Sequence, residues 1–382
     1  MSVLPSPVIQ IGSGWFSEHP GGLERVFHAL WRYLPEEGFS VRGLVVGSPR
    51  VSRETGGTVQ AVAAPDASLP RRLRGMRQAL STLSRQHPPA LIAGHFALYL
   101  FPLQDMLRRQ PFVMHFHGPW ALESNAESET SGSTLIKRLL ERQVYRQATH
   151  CVVLSHAFKE VLERHYAIPP HRITVIPGGV DSDRFRLSVS RPEARRLLGL
   201  PPDRPLLLTV RRLRHRMGLS QLLKATRNLR EAFPELLVLI AGKGPLYTSL
   251  QTYIEENNLH NHVRLSGFVP ENDLPLLYRA ADLTLMPSQA LEGFGLTTLE
   301  SLAAGTPVLA TPVGGLPEIL HPLNPQLLLP DTSIEALTET LRSWLLGQLP
   351  LPDAASCQQY VDQHFTWHHM VRKTADLYRA LL

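Results

Sequence analysis

The sequence predicts an α/β protein of two domains, each built around a doubly wound parallel sheet. The chain has 382 residues, and a domain usually spans about 100–200 residues. Short apolar runs alternate with segments of helical period over most of the chain. The apolar runs have no polar face, as expected of strands buried on both sides of a parallel sheet. Ligand sites in such sheets lie beyond the carboxyl ends of the strands.

Six strands and four helices are predicted in the first half of the chain. The strands are expected at 8–11, 41–46, 90–93, 112–116, 151–154 and 173–176. The helices are expected at 23–34, 71–85, 133–146 and 158–165. A stretch rich in Arg and Pro then follows at 181–205, with little apolar periodicity. We interpret it as an interdomain hinge that contains a short helix at 193–198.

The second half of the chain repeats the alternation of strands and helices. Strands are expected at 206–210, 236–241, 263–266, 283–286 and 308–310. Helices are expected at 219–233, 247–257, 273–280 and 297–304. The predicted organisation is an N-terminal domain at 1–185, a linker at 186–204, a C-terminal domain at 205–360 and a helical tail at 361–382. Two such domains are expected to face a central cleft.

Composition narrows the classes of protein without choosing one. A formal net charge of +6 suits anionic substrates, nucleic acid or acidic lipid surfaces. Aromatic residues do not interleave with the basic runs, so nucleic-acid binding is not expected. Cys151 and Cys357 lie far apart, which excludes a disulfide framework and indicates a reducing compartment. No signal-peptide pattern or apolar stretch of about 18 residues is visible, so a cytoplasmic location is expected.

A basic helix is predicted from Arg71 to Arg85, in a region with no acid between Asp66 and Asp105. Its apolar residues share one helical face: Leu69, Leu73, Met76, Leu80 and Leu83. Two interpretations stay open. The helix could lie on an anionic membrane, which would make the protein peripheral on the cytoplasmic membrane face. The more usual alternative is a surface helix whose apolar stripe packs on the sheet.

The densest local signal is a glycine-containing turn bracketed by Glu292 and Glu300. Gly293 and Gly295 stand just before a predicted helix, where glycines let the backbone approach a ligand and free N–H groups bind phosphate. The two carboxylates can reach different hydroxyls of one ligand. The alternative is a glycine-capped loop with two solvated acids, because a motif alone is a hypothesis.

The spacing of these glutamates resembles the paired-glutamate motif of retaining glycosyltransferases of family 4, which have the GT-B fold of two Rossmann-like domains. Further matching motifs occur in the family's order over nearly the whole chain. They are Gly21-Gly22-Leu23-Glu24-Arg25-Val26, His117-Gly118, Ile176-Pro177-Gly178-Gly179-Val180-Asp181 with Phe185, Gly242-Lys243-Gly244-Pro245, Gly267-Phe268-Val269-Pro270, Pro287-Ser288, Gly305-Thr306-Pro307-Val308 and Gly314-Gly315-Leu316-Pro317-Glu318.

The resemblance implies roles for individual residues. Glu292 would bind hydroxyls of the transferred sugar, Glu300 would hold the ribose, and His117 would lie beside the reacting sugar. The N-terminal domain would serve the acceptor and the C-terminal domain the nucleotide-sugar donor. Phe268 and Val269 would lie against the base, and the N–H groups of Phe294, Gly295 and Leu296 would bind the diphosphate. Gly21 and Gly22 would let the N-terminal loop approach the donor phosphate, and Gly242 and Gly293 complete the donor-binding residues.

One motif departs from the family pattern. The family has Gly-Arg-Leu and then Lys-Gly five residues after the Arg, whereas this chain reads Arg211-Arg212-Leu213-Arg214-His215-Arg216-Met217-Gly218. Arg212 keeps the Arg position and is expected to stabilise negative charge on the leaving diphosphate. Met217 stands in place of the Lys. Either a neighbouring Arg replaces that Lys, or the donor site is weakened or altered.

Three histidines follow predicted strands and raise the question of a metal site. His115 and His117 form a His-x-His pair that could bind a metal, and His95 follows another strand. No acid lies near the pair in sequence until Glu123, and the resemblance implies no metal at the catalytic centre. His117 is therefore expected in the cleft, with His115 and His95 in supporting, acceptor-side or packing roles.

The predicted function is transfer of a sugar from a UDP- or GDP-sugar to an acceptor hydroxyl with retention, in glycolipid, polysaccharide or other cell-envelope glycan synthesis. The nucleotide sugar would be a co-substrate, with no permanently bound cofactor, and the acceptor a glycan or lipid-linked molecule. Alternatives are a nucleotide-sugar epimerase, a glycan phosphorylase with Lys243 as its pyridoxal phosphate lysine, and a non-catalytic nucleotide-sugar binding protein.

Overall fold

The structure, a computed structural model, describes residues 7–127 and 131–382. It divides into two compact units. Unit 1 comprises residues 1–178 and 367–382, and unit 2 comprises residues 179–366. The chain therefore leaves unit 1 after Gly178 and returns to it at Trp367. Each unit is an α/β domain with one parallel sheet, which confirms the predicted fold class.

Unit 1 contains a seven-stranded parallel sheet with the order β3-β2-β1-β4-β5-β6-β7. The strands are β1 (Val8–Ile11), β2 (Val41–Val45), β3 (Val59–Ala61), β4 (Leu91–Gly94), β5 (Phe112–Phe116), β6 (His150–Val153) and β7 (Ile173–Val175). The order reverses between β1 and β4, and such a switch point is where doubly wound sheets bind ligands. Edge strand β3 was not predicted, because its three residues are too few for an apolar pattern.

The helices of unit 1 cover both faces of the sheet. They are α1 (Gly22–Tyr33), α2 (Arg50–Glu54), α3 (Leu69–Gln86), α4 (Ala97–Leu100), α5 (Gln104–Leu107), α6 (Trp120–Ala126), α7 (Ser131–Gln147) and α8 (His156–Tyr166). Residues of β1 alternate between two apolar cores, with Val8 in one and Ile9 and Ile11 in the other. This alternation follows from the two-residue period of a strand.

Unit 2 contains a five-stranded parallel sheet with the order β10-β9-β8-β11-β12. The strands are β8 (Leu206–Val210), β9 (Leu237–Ala241), β10 (Val263–Gly267), β11 (Leu283–Met286) and β12 (Val308–Ala310). The helices are α9 (Ser182–Phe185), α10 (Arg191–Leu197), α11 (Leu219–Leu229), α12 (Tyr247–Glu256), α13 (Leu274–Ala280), α14 (Leu296–Ala303), α15 (Leu316–Leu320), α16 (Ile334–Leu345) and α17 (Ala354–His364). Its switch point lies between β8 and β11.

The predicted linker at 186–204 is part of unit 2 in the structure. Helix α10 packs against α13, and the guanidinium of Arg195 is buried between them. Arg195 donates to the carbonyls of Ala280, Pro202 and Arg204 and pairs with Asp282 at 2.6 Å. Arg195 therefore attaches this segment to unit 2 by hydrogen bonds, and the segment is not a separate linker.

The predicted tail at 361–382 is divided between the two units. Helix α17 ends at His364 in unit 2, whereas α18 (Trp367–Leu381) belongs to unit 1. Met370, Val371 and Tyr378 of α18 are buried in the core that also contains Val8. Helix α18 therefore completes one face of the unit 1 sheet. The sequence could not assign α18 to this unit, because the residues that it packs against are distant in the chain.

Helix α3 covers the basic segment for which membrane contact was considered. Met76, Leu80 and Leu83 are buried in the core of unit 1, and Leu73 packs against it. Most of the apolar stripe is therefore packed in the core, as in the surface-helix alternative, and only Leu69 at its N-terminal end is exposed. Among the residues that the structure describes, no helix is both long enough and apolar enough to cross a membrane.

Candidate active site

The predicted donor-binding residues of unit 2 gather at the carboxyl edge of its sheet. Arg212 follows β8, Gly242 follows β9, and Phe268 and Val269 follow β10. The turn from Glu292 to Leu296 lies between β11 and α14. Because the strands are parallel, these loops emerge at one edge, where doubly wound sheets bind ligands. Gly21, Gly22 and His117 occupy the corresponding edge of unit 1.

A buried ion pair links the loops that follow β8 and β11. The guanidinium of Arg211 contacts a carboxylate oxygen of Glu292 and donates to the Ser288 hydroxyl at 2.7 Å. The Ser288 hydroxyl in turn donates to the same Glu292 oxygen at 3.0 Å. The side chains of Arg211 and Glu292 are only 3% and 13% exposed. Glu292 is therefore fixed in position, with its charge balanced inside the protein.

Backbone contacts reinforce this connection between the two loops. The Gln289 N–H donates to the Arg216 carbonyl at 2.8 Å, and the Arg216 guanidinium donates to the Leu291 carbonyl at 2.9 Å. Leu291 has φ +54°, a left-handed conformation that is unfavourable for a leucine. Strain of this kind persists only where surrounding contacts hold the backbone in place. The contacts that hold Leu291 therefore also fix the position of the next residue, Glu292.

Two glycines allow neighbouring loops to pack directly on this ion pair. A Cβ atom on Gly242 would lie 1.7 Å from the Arg211 carbonyl oxygen, and one on Gly314 would lie 1.8 Å from the Glu292 carbonyl oxygen. Gly314 also has φ +58°. No other residue fits at either position. The family motifs that contain these glycines therefore have a packing role beside the ion pair.

Helix α14 begins at the glycine turn as predicted. Gly295 caps the helix with φ +91°, and the first N–H groups of a helix have no partner within it. These amides and the helix dipole favour an anion at this end. The Phe294 side chain is buried against Phe365, so only its backbone is available to a ligand.

Glu300 lies within α14 and is almost fully buried. Its side chain accepts a hydrogen bond from the Tyr278 hydroxyl at 3.0 Å. The predicted base-binding residue Phe268 is instead largely exposed, with the Lys243 ammonium 4.8 Å from its ring centroid. The ring is thus presented to solvent with a cation at its face, an arrangement that suits stacking of a planar group.

The departure from the family motif has a structural counterpart. Arg212 is exposed, and it makes no ion pair with a carboxylate in the part of the chain that the structure describes. Met217 ends the 3-10 helix His215–Met217 and is buried. The site therefore has an exposed guanidinium at Arg212 and an apolar, packed side chain where the family has Lys.

Unit 1 stacks its three candidate histidines at the edge where β1, β4 and β5 end. The His95 ring is nearly parallel to those of His115 and His117, with centroids 4.8 and 5.2 Å away. His95 Nδ1 lies 3.0 Å from His117 Nε2, and His95 Nε2 lies 3.1 Å from Gln10 Oε1. His115 Nε2 lies 2.7 Å from the Tyr378 hydroxyl.

Burial keeps these histidines uncharged. Desolvation lowers the pKa of His115 and that of His117 to about 3, and lowers the pKa of His95 well below its usual value. A neutral imidazole has one N–H. With the amide oxygen of Gln10 facing His95, His95 donates from Nε2 and accepts at Nδ1 from His117 Nε2. His117 is then left with an unprotonated Nδ1.

The glycine pair of unit 1 lies at the start of α1. Gly21 caps that helix and Gly22 is its first residue, so free amides occur there as they do at α14. Beside this turn, the buried Glu24 accepts a hydrogen bond from the Ser13 hydroxyl at 2.5 Å. No group of three or more His, Cys, Asp or Glu side chains within residues 7–127 and 131–382 is arranged to hold a metal ion.

Sequence reasoning missed three groups that organise the site. The sequence offers Arg211 only as one of several arginines that could replace the missing Lys, whereas the structure buries it against Glu292 and leaves Arg212 exposed. Gln10 and Tyr378 position the histidine rings of unit 1. A polar residue within an apolar strand, as Gln10 is in β1, was the signal that could have indicated a buried hydrogen bond.

We expect Gly314→Ala to destabilise unit 2 much more than Gly347→Ala. Both glycines have positive φ, but a Cβ on Gly347 meets no atom within 4 Å. Gly347→Ala should cost about 1–2 kcal/mol for the left-handed backbone, and Gly314→Ala about 1–3 kcal/mol more for the clash. Chemical denaturation measures both costs. Equal costs would show that the Glu292 loop does not pack tightly on Gly314.

We expect the rings of His95, His115 and His117 to stay neutral at pH 5. Nitrogen NMR of labelled histidine, assigned with single variants, reads ring protonation and tautomer. In the unfolded chain these rings take up protons below about pH 6.5. Their contribution to the free energy of unfolding is therefore complete above that pH and is lost as the pH falls towards the folded-state values. A midpoint near 6.5 for His117 would contradict the proposed hydrogen-bonded stack.

Two family profiles match consecutive parts of the chain. The profile described as Glycosyltransferase Family 4 matches residues 20–184, and that described as Glycosyl transferases group 1 matches residues 190–364. Together they extend over most of the chain. The resemblance seen in the motifs is therefore confirmed by matches over both units.

Curated relatives of this chain are also named as glycosyltransferases. The chain is 30% identical over 334 residues to D-inositol 3-phosphate glycosyltransferase of Corynebacterium urealyticum, covering 82% of this chain and 77% of that protein. It is 28% identical over 364 residues to 2-deoxystreptamine glucosyltransferase of Streptomyces kanamyceticus, covering 88% and 93%.

Solved structures agree on the fold. Anabaena Alr3699/HepE, determined in complex with UDP and glucose, superposes with a TM-score of 0.80 at 19% identity, covering 98% of this chain and 100% of that one. Sucrose-phosphate synthase of Thermosynechococcus elongatus gives 0.80 at 20% identity, covering 98% and 99%. At these identities the likeness shows the fold. With the family profiles and the curated relatives, it makes this chain a glycosyltransferase of family 4 with the GT-B fold.

Proposed function

We propose that this enzyme transfers a glycosyl group from a UDP- or GDP-sugar to an acceptor hydroxyl with retention of configuration. The observation that carries the proposal is the carboxyl edge of unit 2. There an exposed arginine, a helix N-terminus and a fixed carboxylate accompany an exposed aromatic ring. These are the groups needed to hold a diphosphate, a sugar and a base. The donor class is also supported by the UDP and glucose bound to Alr3699/HepE.

The leaving diphosphate would be stabilised by two features. The first is the set of free amides at the N-terminus of α14, in the Gly295–Leu296 turn. The second is the exposed Arg212 guanidinium, which makes no ion pair with a carboxylate of the described residues. Electrostatic groups prearranged for developing charge are usually the largest contribution to catalysis. Met217 cannot supply charge, so Arg212 takes on more of the stabilisation than it would beside a Lys.

Glu292 would accept hydrogen bonds from hydroxyls of the transferred sugar. One of its oxygens is engaged by Arg211 and Ser288, which holds the carboxylate in one place. Prearranged positioning of this kind is the main contribution of an enzyme that uses no covalent intermediate. The acceptor would then attack from the face the leaving group departs from, with its proton passing to the leaving phosphate.

Glu300 and Phe268 would hold the nucleoside. Base stacking suits the exposed Phe268 ring, but Glu300 is only 1% exposed. Ribose binding therefore requires the Glu300 carboxylate to become accessible when the donor enters. The Tyr278 hydroxyl, which donates to it, would then exchange with a ribose hydroxyl.

Unit 1 would serve the acceptor and contribute His117 beside the reacting sugar. The neutral, hydrogen-bonded ring suits a polar contact rather than a cation. Relatives named for inositol phosphate and 2-deoxystreptamine support an acceptor with several ring hydroxyls, which a glycan or glycolipid headgroup also offers. We propose a cytoplasmic enzyme with no permanently bound cofactor, in which the nucleotide sugar is consumed as co-substrate.

The test is incubation of the purified protein with UDP-, GDP- and ADP-sugars without added metal, with nucleotide release and sugar fate measured. We expect slow hydrolysis of one donor. Arg212→Ala should lower that rate about 100-fold or more, since it removes a group that stabilises the leaving charge. Glu292→Ala should abolish donor hydrolysis. The control Arg227→Ala, at an exposed arginine on α11, should leave the rate unchanged.

Other outcomes would contradict the proposal. Isomerised sugar without transfer or hydrolysis would indicate the epimerase. Absence of both binding and turnover with every donor would indicate a non-catalytic site, and Met217→Lys would then test whether the missing cation is the cause. An equal loss in Arg212→Ala and Arg227→Ala would show that general charge, rather than the site, attracts the donor.

A further inference from the structure

Helix α7 of unit 1 presents large apolar side chains to solvent. Leu135, Ile136 and Leu139 are 59%, 69% and 58% exposed, although a leucine or isoleucine on a packed helix is usually buried. The opposite side of the same helix is occupied, because Val144 and Tyr145 lie in the core of unit 1. The exposed residues therefore form a second apolar surface, which the core of unit 1 leaves uncovered.

The same outward face is basic along its second half. Arg138, Arg142 and Arg146 are exposed, and none of them pairs with a carboxylate in the described ranges 7–127 and 131–382. The helical spacing of Leu135, Leu139, Arg142 and Arg146 is four, three and four residues, which aligns them in one stripe. Leucines thus occupy the first turns of the stripe and arginines the later ones.

No acid on α7 offsets this positive charge at the surface. The one acidic residue of the helix, Glu141, is buried and accepts hydrogen bonds from the Tyr145 and Tyr166 hydroxyls. Burial raises the pKa of the Glu141 carboxyl. Phe101, in the 3-10 helix that packs against α7, adds a partly exposed ring nearby.

We propose that the outward face of α7 docks unit 1 on an anionic lipid bilayer. Leucine and isoleucine side chains would enter the boundary between headgroups and acyl chains, while the arginines contact lipid phosphates. A second copy of this chain fits less well, because a symmetric contact would place like arginine charges against one another. The inference does not depend on the donor or on catalysis.

This surface differs from the helix that the sequence pattern suggested. Helix α3 is also basic, with Arg71 and Arg74 exposed, but its apolar stripe is packed on the sheet. Its one exposed large apolar side chain is Leu69 at the first residue of the helix, 39% exposed, whereas α7 exposes Leu135, Ile136 and Leu139. Charge alone gives weak and salt-sensitive attachment to a membrane. Experiment can therefore distinguish the two helices, because α7 combines charge with exposed leucine and isoleucine side chains.

The experiment is cosedimentation of the full chain with phosphatidylcholine vesicles that contain or lack phosphatidylglycerol. We expect binding only to the anionic vesicles. Leu135→Ser/Leu139→Ser should abolish it, and Arg138→Ala/Arg142→Ala should weaken it by about fivefold per arginine. The matched controls are Arg71→Ala/Arg74→Ala on α3 and Leu346→Ser at an exposed leucine of unit 2. Each should keep an affinity for anionic vesicles closer to that of the parent protein.

Four results would overturn the proposal. The first is that the parent protein does not bind anionic vesicles, and the second is that the α7 leucine variant still binds them. The third is that the α3 variant loses as much vesicle affinity as the α7 arginine variant. The fourth is a dimer in light scattering that Leu135→Ser/Leu139→Ser dissociates. Because the substituted side chains are exposed, circular dichroism of each variant should match the parent. Donor hydrolysis measured in the same samples separates loss of docking from loss of the enzyme site.

Discussion

The buried ion pair between Arg211 and Glu292 is the interaction on which the carboxyl edge of unit 2 depends. It joins the loops after β8 and β11, and Gly242 and Gly314 bring two more loops against its backbone at distances that exclude a Cβ. Breaking a buried pair leaves one charge unpaired in a poorly solvated place. The position of Glu292 therefore follows from the whole set of loops rather than from its own backbone alone.

Unit 1 solves a similar problem without charge. Burial lowers the pKa of its stacked histidines, which are therefore neutral, and ring stacking with hydrogen bonds holds His95 and His117 next to Gln10. In unit 2, where we propose that a negatively charged diphosphate binds, the sheet edge combines a helix N-terminus with an exposed arginine. One sheet edge thus carries a neutral histidine stack and the other an exposed arginine, a difference that agrees with the separate acceptor and donor roles we propose.

Most of the fold could be predicted from the sequence, because buried parallel strands appear as apolar runs and the motif turns follow them. The 186–204 segment could not, since Arg195 bonds to Ala280 and Asp282, which are distant in sequence, as well as to the nearby carbonyls of Pro202 and Arg204. The site was predicted as a set of loops, but not its internal bonding. Adjacent residues of an extended chain point to opposite sides, so sequence alone could not tell that Arg211 faces Glu292 while Arg212 faces solvent.

A double-mutant cycle on the unfolding free energy of unit 2 tests the central role of the ion pair most directly. Arg211→Ala alone should cost about 3–5 kcal/mol, because Glu292 is left buried without its partner. Arg211→Ala/Glu292→Ala should cost less than the sum of the single variants, with a coupling energy above about 1 kcal/mol. Additivity within about 0.5 kcal/mol would contradict the account, because it would mean that the two side chains do not stabilise one another.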